Sequence, residues 1–380
     1  MSFDLSKIVR PKIYNLEPYR CARDDFTEGI LLDANENAHG SSITMETSFE
    51  DLNRYPDPHQ VTFKKLMADY RNSNTHIKGL KTPLTYENLC LGVGSDESID
   101  ALIRAVCVPG KDKILINPPT YGMYTICTAI NDVECVKIPL RTSDNSFQLD
   151  VPKILDTLAN DDSIKLVFIT SPGNPTGAFI DLESIETLCQ KWTNGFVVVD
   201  EAYIDFGGES SAPLVTKYPN IAVLQTLSKS FGLAGIRLGV TFTSKEFSSV
   251  LNAMKAPYNI SVMASELAIN ALSPASIANM HSSVEKIQQQ RARLVKDLCS
   301  LPYVEDVPIG GMDANFILIR MKNADKAKEI YSKLANESKV VIRYRGTELG
   351  CEGGLRITVG TEQENDHLIE EFKKVCSQVL

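Results

Sequence analysis

Short apolar runs that each end in polar or turn-forming residues are the feature of this sequence that most limits its fold. The runs are continuous rather than alternating, so both faces of each strand should be buried, as in a parallel sheet covered by helices. Ligands bind at the carboxyl ends of the strands in such sheets. The polar residues that follow the runs are therefore the candidates for a site. The predicted strands are Asn88–Val93, Lys113–Ile116, Ile164–Thr170, Phe196–Val199 and Ile221–Leu224.

The length of the chain and a change of pattern along it predict two domains. The chain has 380 residues, of which 43% are hydrophobic, and a domain usually takes about 100–200 residues. Residues 1–40 are interpreted as an irregular N-terminal arm that joins the small domain, residues 41–265 as the large domain and residues 266–380 as a smaller α+β domain. The smaller domain is predicted from a long helical stretch, three strand-like runs and a last helix, which are Val284–Leu298, Asn315–Arg320, Val340–Arg343, Leu355–Val359 and the segment from Glu362.

Charge and cysteine content disfavour several classes of protein. The net charge is -9 and no basic stripe is present, which argues against nucleic-acid binding. The nine cysteines form no CxxC pair, and the first residues lack the apolar core of a signal peptide, so a reduced, cytoplasmic protein is the simplest interpretation. No apolar run approaches the roughly 20 residues of a membrane helix. The five histidines lack the spacing of metal ligands, and no metal site is predicted.

The segment Thr226–Gly239, TLSKSFGLAGIRLG, carries the strongest chemical signal. It places Lys229 between two serines, among small and apolar residues that are unusual for a surface loop. Schiff-base chemistry needs an amine whose pKa is lowered by desolvation or by nearby cations. Small neighbours let a planar ring approach the backbone, and Ser228 and Arg237 could bind a phosphate. A solvated surface lysine is the ordinary alternative, and the segments described next argue against it.

A carboxylate directly after a buried strand marks the second segment, Val197–Phe206. By itself, Asp200 could equally be a helix cap or a metal ligand. A pyridine cofactor gives it a specific task, because a carboxylate keeps the ring nitrogen protonated. Tyr203, three residues later, could then reach the phenolic oxygen of the same cofactor.

Three further segments also follow predicted strands. In SPGNPTG, Asn174 stands at the carboxyl edge of the sheet, where its amide can donate to a phenolate oxygen. In LGVGSDE the dinucleotide fingerprint fails, which removes a dehydrogenase, but a helix start after a glycine turn still offers N–H groups to a phosphate. Ser95, Asp96 and Glu97 lie at that helix start. Tyr121, in PTY, could stack on an aromatic ring or belong to the core.

Together these segments resemble the fold-type I pyridoxal-phosphate aminotransferases, in the order GSDE, PTY, NPTG, VVVDEAY, SKSFGLAGIRLG and LRITVG. The resemblance runs from about Tyr19 to Gly360. Within that group, the segments LDANEN, NRYPDP, VDEAYIDF and LRITVG are similar to the histidinol-phosphate aminotransferase family. The resemblance implies a mostly parallel sheet in a three-layer α/β/α large domain, a smaller α+β domain, pyridoxal 5'-phosphate as the cofactor and a homodimer.

The resemblance also implies a role for each matching residue. Lys229 would carry the cofactor as a Schiff base and shuttle the proton, and Asp200 would pair with the pyridinium nitrogen. Asn174 and Tyr203 would hold the phenolic oxygen, and Tyr121 would stack on the ring. The other implied cofactor contacts are Ser95, Asp96, Glu97, Ser228, Arg237 and Tyr55, the last from the neighbouring subunit.

The substrate region is implied in the same way, and it comprises Tyr19, Asn35, Arg343 and Arg356. Arginine suits an anion site because its planar fork binds carboxylate or phosphate with two hydrogen bonds. Arg345 lies close to Arg343 in sequence and competes for the same role. The implied reaction transfers an amino group between glutamate and imidazole acetol phosphate, in a ping-pong cycle of histidine biosynthesis.

Two alternatives remain beside this interpretation. The same fold hosts aminotransferases for aromatic or other amino acids and decarboxylases of phospho-amino acids, and only the substrate profile separates them. The chain could also be a non-catalytic module on this fold, which the intact Lys229, Asp200, Tyr203 and Arg237 argue against. Of the histidines, only His39 lies near the predicted substrate segment.

Overall fold

A computed structural model of the chain describes residues 25–26, 29–33, 35–40, 55–77, 80 and 82–380. Tyr19, one of the predicted substrate residues, lies outside the described residues. The strands are β1 (Ile30–Leu31), β2 (Leu89–Val93), β3 (Lys113–Ile116), β4 (Glu134–Lys137), β5 (Ile164–Thr170), β6 (Phe196–Asp200), β7 (Ile221–Thr226), β8 (Leu238–Phe242), β9 (Phe316–Arg320), β10 (Val340–Val341), β11 (Arg343–Tyr344) and β12 (Gly354–Thr358). The α-helices are Val61–Ser73, Gly94–Val106, Met123–Asn131, Val151–Asn160, Leu182–Lys191, Lys245–Met254, Val262–Ala271, Pro274–Cys299, Ala324–Asn336 and Glu362–Val379.

The largest sheet has seven strands in the order β2-β8-β7-β6-β5-β3-β4. β8 runs antiparallel to both of its neighbours, and the other pairs in the sheet are parallel. The mostly parallel sheet predicted from the apolar runs is therefore confirmed. The runs did not indicate β4 or β8, because β4 is a partly exposed edge strand and β8 starts inside the lysine segment.

Alternate residues of the central strands belong to different parts of the core. On one face of the sheet, Leu166 shares a core cluster with Ile99, which lies on the helix that follows β2. On the other face, Val167 shares a cluster with Ile154 and Ile185, which lie on the helices that follow β4 and β5. Helices thus cover both faces of the sheet, which explains why its strands are apolar at successive positions rather than at alternate ones.

One edge of this sheet gathers the polar residues that follow its strands. Because β5 and β6 are parallel and in register, Thr170 at the end of one strand lies beside Asp200 at the end of the other. β8 is antiparallel and enters the sheet at the same edge, where its first residue, Leu238, is opposite Val93. The antiparallel strand therefore brings Arg237, which precedes it, to the edge that carries Asp200.

The C-terminal part of the chain contains a three-stranded antiparallel sheet, in the order β11-β12-β9. The prediction of one strand over Val340–Arg343 is wrong, because the chain leaves one sheet and enters another at Ile342. β10 pairs in parallel with β1, so the N-terminal segment joins this part of the molecule. The predicted helical stretch Val284–Leu298 lies within the longer helix Pro274–Cys299. The domain limits near residues 40 and 265 stay a prediction.

Candidate active site

A cavity of about 230 Å³ opens at the carboxyl edge of the seven-stranded sheet. Residues from the N-terminal segment and from β11 and β12 complete its wall. Asp33, Thr170 and Thr226 also line it, although none of the three was predicted as a site residue. The predicted site residues in its lining are Asn35, Ser95, Asp96, Tyr121, Asn174, Asp200, Tyr203, Ser228, Lys229, Arg237, Arg343 and Arg356.

The carboxylate of Asp200 is buried at the end of β6 and lines this cavity. Its Oδ2 accepts a hydrogen bond of 2.7 Å from the Tyr124 hydroxyl, and its Oδ1 accepts one of 3.3 Å from the Ala202 amide. Burial raises the pKa of Asp200 to about 6, although these two hydrogen bonds oppose the rise. The charged groups that most affect this pKa, Asp96 and Glu201, are also negative and raise it further. The cavity therefore contains a carboxylate that favours a cationic partner.

Nothing in the motifs points to Tyr124, which holds this carboxylate in place. It is fully buried in the helix Met123–Asn131, and its hydroxyl oxygen also lies 2.9 Å from the hydroxyl oxygen of Thr170. In the sequence it is one tyrosine in an apolar helix, three residues after Tyr121. That spacing, which puts two aromatic residues on one side of a helix start, is the only local signal that could have identified it.

Lys229 lies in the loop between β7 and β8. Its Nζ is 5.9 Å from the centroid of the Tyr203 ring. The loop is closed by two backbone hydrogen bonds of 3.1 Å, from Gly232 N to Lys229 O and from Leu233 N to Leu227 O. The amine is therefore presented by a defined turn, and it shares the cavity with the carboxylate of the neighbouring strand β6.

The start of the helix Gly94–Val106 and the side chain of Arg237 form an anion-binding corner. A helix start has free backbone N–H groups and favours negative charge. Gly94 has a φ of +76, which favours glycine, and it lies directly under the guanidinium, because a Cβ on it would be 2.5 Å from Arg237 Nη2. Arg237 Nη2 is 3.6 Å from Asp96 Oδ2, and the Tyr121 hydroxyl donates to the other oxygen of that carboxylate at 3.0 Å. The donors of this corner suit a phosphate.

Arg356, from β12, holds two groups of the site with its two Nη atoms. Nη1 donates to Asn174 Oδ1 at 2.6 Å, and Nη2 donates to the backbone oxygen of Asp33 at 2.6 Å. Burial, with repulsion from Arg345, lowers the pKa of Arg356 to about 9. Its neighbours thus hold the guanidinium in the wall of the cavity. A bound anion there would offset the electrostatic cost of burying its positive charge.

The N-terminal segment enters the site through Asn35. Its Nδ2 donates to the Tyr203 hydroxyl at 3.0 Å. Its backbone N–H donates to Thr358 Oγ1 at 3.0 Å, and Asn315 Nδ2 donates to its backbone oxygen at 2.9 Å. Contacts from Thr358 in β12 and from Asn315, which precedes β9, therefore fix the backbone of the residue whose side chain reaches Tyr203.

The other two arginines of the cavity differ in their partners. Arg345 Nη1 lies 2.9 Å from Glu348 Oε1, and both side chains are largely buried. Burial raises the pKa of Glu348, and Arg345 opposes that rise. In the part of the chain that the structure describes, no carboxylate forms an ion pair with Arg343. Among the described residues, Arg343 and Arg356 therefore lack a carboxylate partner, and the two hydrogen bonds of Arg356 go to neutral oxygens, whereas Arg345 is held by Glu348.

Two of the predicted cofactor residues do not line the cavity. Glu97 was expected there, but its Oε2 accepts a hydrogen bond from the Val93 amide, so it caps the start of its own helix. Tyr55 is 81% exposed, and its ring stacks on that of Tyr258 with a centroid separation of 4.6 Å. His39 is also outside the lining, and burial together with Lys286 lowers its pKa.

The described ranges contain no grouped metal ligands and no membrane-spanning helix. No set of His, Cys, Asp or Glu side chains there is grouped as metal ligands would be. None of the helices in the same ranges is both long enough and apolar enough to cross a membrane.

Comparison with known proteins gives consistent similarities over nearly the whole chain. Residues 27–372 match the family model described as aminotransferase class I and II. The chain is 61% identical over 378 residues to the histidinol-phosphate aminotransferase of Saccharomyces cerevisiae, with 98% of each chain covered. It is 53% identical over 391 residues to that of Candida maltosa, with 99% of each covered. Its fold is similar to the crystal structure of histidinol-phosphate aminotransferase from Sinorhizobium meliloti in complex with pyridoxal-5'-phosphate, with a TM-score of 0.82, 21% identity and 98% of each chain covered.

Proposed function

Since the chain belongs to the class I and II aminotransferases and, within them, to the histidinol-phosphate aminotransferases, we propose that its cavity performs this transamination. The reaction is L-histidinol phosphate + 2-oxoglutarate ⇌ 3-(imidazol-4-yl)-2-oxopropyl phosphate + L-glutamate, a step of histidine biosynthesis. The cofactor is pyridoxal 5'-phosphate. The observation that carries the proposal is that one cavity combines the amine of Lys229, the buried carboxylate of Asp200 and the guanidinium groups of Arg343 and Arg356, neither of which is paired with a carboxylate among the described residues.

The residues of the cavity fit this cofactor. Among the described residues, no Lys or Arg forms an ion pair with Asp200, and burial has already raised its pKa to about 6. A protonated pyridine nitrogen would supply the missing cation, and Asp200 would keep the proton on that nitrogen. The helix start at Ser95, with Ser228 and Arg237, offers the donors that a phosphate group requires. Asn174 and Tyr203 would hold the phenolic oxygen.

When bound, the cofactor supplies an electron-withdrawing ring that stabilises negative charge at the reacting carbon and a carbon that accepts and returns the amino group. Lys229 would hold it through Nζ and, once released, would accept and return the transferred proton at that same Nζ. The ring of Tyr203 lies near this amine, with its centroid 5.9 Å from Nζ.

The substrate anions are assigned to Arg343 and Arg356. One half-reaction brings a phosphate and the other brings carboxylates, so the same donors must accept both groups in turn. A planar guanidinium binds either anion with two parallel hydrogen bonds. Arg345 is not assigned to this role, because Glu348 already holds it at 2.9 Å.

A homodimer is part of the proposal. Tyr55 is 81% exposed and is stacked on Tyr258, which is itself 42% exposed. Exposed stacked aromatic rings are typical of surfaces that pack against a partner. A second copy of the chain would cover them, and it would bring Tyr55 to the phosphate corner of the neighbouring site. Cytoplasmic location remains a prediction from the cysteine content.

The test is an absorbance titration of the purified protein with pyridoxal 5'-phosphate bound. Addition of L-histidinol phosphate at low concentration should remove the absorbance band of the lysine-bound cofactor, and phenylalanine at the same concentration should leave it. A stronger response to phenylalanine would keep the cofactor chemistry and reject the substrate. A protein that shows no such band with added cofactor would reject the role of Lys229.

A further inference from the structure

A chain of buried polar side chains runs beneath the Lys229 loop, outside the cavity. Its centre is an ion pair of 2.7 Å between Arg71 Nη1 and Asp205 Oδ1, whose side chains are 6% and 10% exposed. The Ser230 hydroxyl donates to Asp205 Oδ2 at 2.6 Å. On the other side, Arg71 Nε donates to Gln225 Oε1 at 2.7 Å, and Gln225 Nε2 donates to Glu201 Oε2 at 2.7 Å. An unbroken set of hydrogen bonds therefore connects Ser230 with Glu201.

The two ends of this chain are the sequence neighbours of the reacting groups. Ser230 follows Lys229, and Glu201 follows Asp200. The backbone of Ser230 is fixed as well, because Asn37 Nδ2 donates to its carbonyl oxygen at 3.0 Å. Both the side chain and the main chain of the residue after the lysine are thus tied to other parts of the molecule.

The ion pair is better suited to fixing geometry than to adding stability. Burial of two charges costs solvation that their attraction often only offsets, so apolar residues could serve the core equally well. Burial alone would raise the pKa of Asp205, but Arg71 together with the hydrogen bonds from Ser230 and Tyr70 outweighs it and the pKa is lowered, so the carboxylate stays charged. The Tyr70 hydroxyl also lies 3.3 Å from Oδ1. With donors on both oxygens, the carboxylate has one orientation in which to receive the Ser230 hydroxyl.

We propose that Arg71 and Asp205 are positioning residues that fix Lys229 relative to Asp200, acting through the side chain of Ser230. The inference rests on the proposed function, in which Lys229 Nζ bonds to the cofactor. A network that only supports the core would affect stability without a specific effect on the amine. A network that positions the amine must affect the bond-forming step more than it affects binding of the ring and the phosphate.

The test compares covalent and non-covalent binding in the full-length protein freed of cofactor. Pyridoxamine 5'-phosphate fills the site but cannot bond to a lysine, whereas pyridoxal 5'-phosphate does so. In Ser230→Ala, the dissociation constant of the amine form should change by less than about two-fold. The rate constant for bonding to the aldehyde form, followed by stopped-flow absorbance, should fall by about ten-fold or more, since a misplacement of about 1 Å can cost on the order of 100-fold. Ser230→Thr, which retains the hydroxyl, should restore most of the rate.

Ser210→Ala is the matched control. The Ser210 hydroxyl donates to Glu201 Oε2 at 2.6 Å in the same network, but it does not adjoin Lys229. This change should lower thermal stability and leave the rate constant for bonding within about two-fold of that of the unaltered protein. Asn37→Ala, which removes the other anchor of Ser230, should slow bonding in the same direction as Ser230→Ala.

Two results would overturn this inference and leave the proposed function intact. They are a wild-type bonding rate in Ser230→Ala and a loss of rate in Ser210→Ala equal to that in Ser230→Ala. Failure of the proposed function would appear differently. After borohydride reduction, mass spectrometry of the unaltered protein would then find no adduct on Lys229, which would reject the function and this inference together.

Discussion

The buried side chain of Asp200 lowers the free energy of unfolding of the protein and still serves its chemistry. Burial raises its pKa from 3.8 to about 6, so between those pH values the folded protein retains a proton that the unfolded chain releases. The free energy of unfolding therefore falls as the pH rises through this window, and the loss persists above it. At about 1.4 kcal/mol for each pKa unit, the loss at neutral pH is about 3 kcal/mol. A cation bound beside Asp200 would reduce this loss of unfolding free energy.

Asp200→Asn should consequently stabilise the cofactor-free protein while it disables the enzyme. At pH 7.5 we expect the free energy of unfolding to rise by about 2–3 kcal/mol, because the buried charge is gone. Near pH 3.5 the gain should vanish, since the carboxylate is then protonated in both states. Urea denaturation at the two pH values measures both effects, with the exposed Asp162→Asn as control. Transaminase activity should fall by at least about 100-fold, and equal unfolding free energies at pH 7.5 would contradict the argument.

Arg356 tests the assignment of the substrate anions. Its fork contacts Asn174 and the backbone of Asp33 at the same time, which a lysine ammonium cannot reproduce. Arg356→Lys should raise the KM for both glutamate and histidinol phosphate by about ten-fold or more. Arg345→Lys, which keeps a cation beside Glu348, should change either KM by less than about three-fold. Steady-state kinetics with both substrates decides the matter, and an unaltered KM for both in Arg356→Lys would reject the shared anion site.

At the residue scale, the sequence predicts chemistry where a motif is local and misses it where a contact is distant. Lys229 and Asp200 are identified by the segments that surround them. Tyr124 and Arg71 are not, because their partners lie 76 and 134 residues away in the chain. Glu97 is local but misleading, since its position at a helix start suits a capping carboxylate as well as an anion site.

The contact between β8 and the helix Gly94–Val106 governs the phosphate corner at the scale of elements. A Cβ added to Gly239 would lie 2.5 Å from the backbone carbonyl of Gly94 and 2.7 Å from Ser95 N. No side chain fits there unless the strand or the helix start moves. The close approach of these two elements is what places the free N–H groups beside Arg237.

Gly239→Ala should therefore weaken anion binding without removing any polar group. The added methyl would push the helix start away from Arg237, and overpacking of this kind costs about 1–3 kcal/mol. We expect the dissociation constant of pyridoxamine 5'-phosphate to rise by about ten-fold, as measured by calorimetry. Gly235→Ala is the control, because a Cβ at that position meets nothing within 4 Å. Similar affinities for the two variants would show that the close approach does not matter.

The strands differ in how well the sequence predicts them. The central strands β3 and β5 match their predicted bounds, because burial on both faces gives continuous apolar runs. β10 and β11 are predicted as one strand, since nothing local marks the point where pairing changes from β1 to β12. Pairing over such distances depends on the whole fold rather than on the pattern of one segment.

At the scale of the whole molecule, a site shared between two copies would make each active site depend on both chains. In the proposed dimer, Lys229 acts within its own chain and Tyr55 acts on the neighbouring site. Sedimentation should then give a particle of twice the mass of one chain. The exposed position of Tyr55, stacked only on Tyr258 among the described aromatic rings, is the structural basis of this expectation.

Complementation between two impaired variants tests the shared site. Lys229→Ala should be inactive, and Tyr55→Ala should lose at least about ten-fold in activity through weaker binding of the cofactor phosphate. Mixed dimers, formed by co-expression of the two differently tagged chains, contain one site with both residues intact. Their activity should exceed that of either parent and approach half of the wild-type value. Mixed dimers no more active than the Tyr55→Ala parent would place Tyr55 in its own chain's site or in neither.

The pairing of β1 with β10 has a consequence for how the enzyme is made. Asn35 donates to Thr358, a residue 323 positions later, so the wall of the cavity is incomplete until almost the entire chain has left the ribosome. At about 5–20 residues per second, the first strand waits on the order of tens of seconds for its partner. Nascent chains can therefore present Lys229 before the wall around it is complete, and full enclosure of a ligand there has to wait for the last part of the chain.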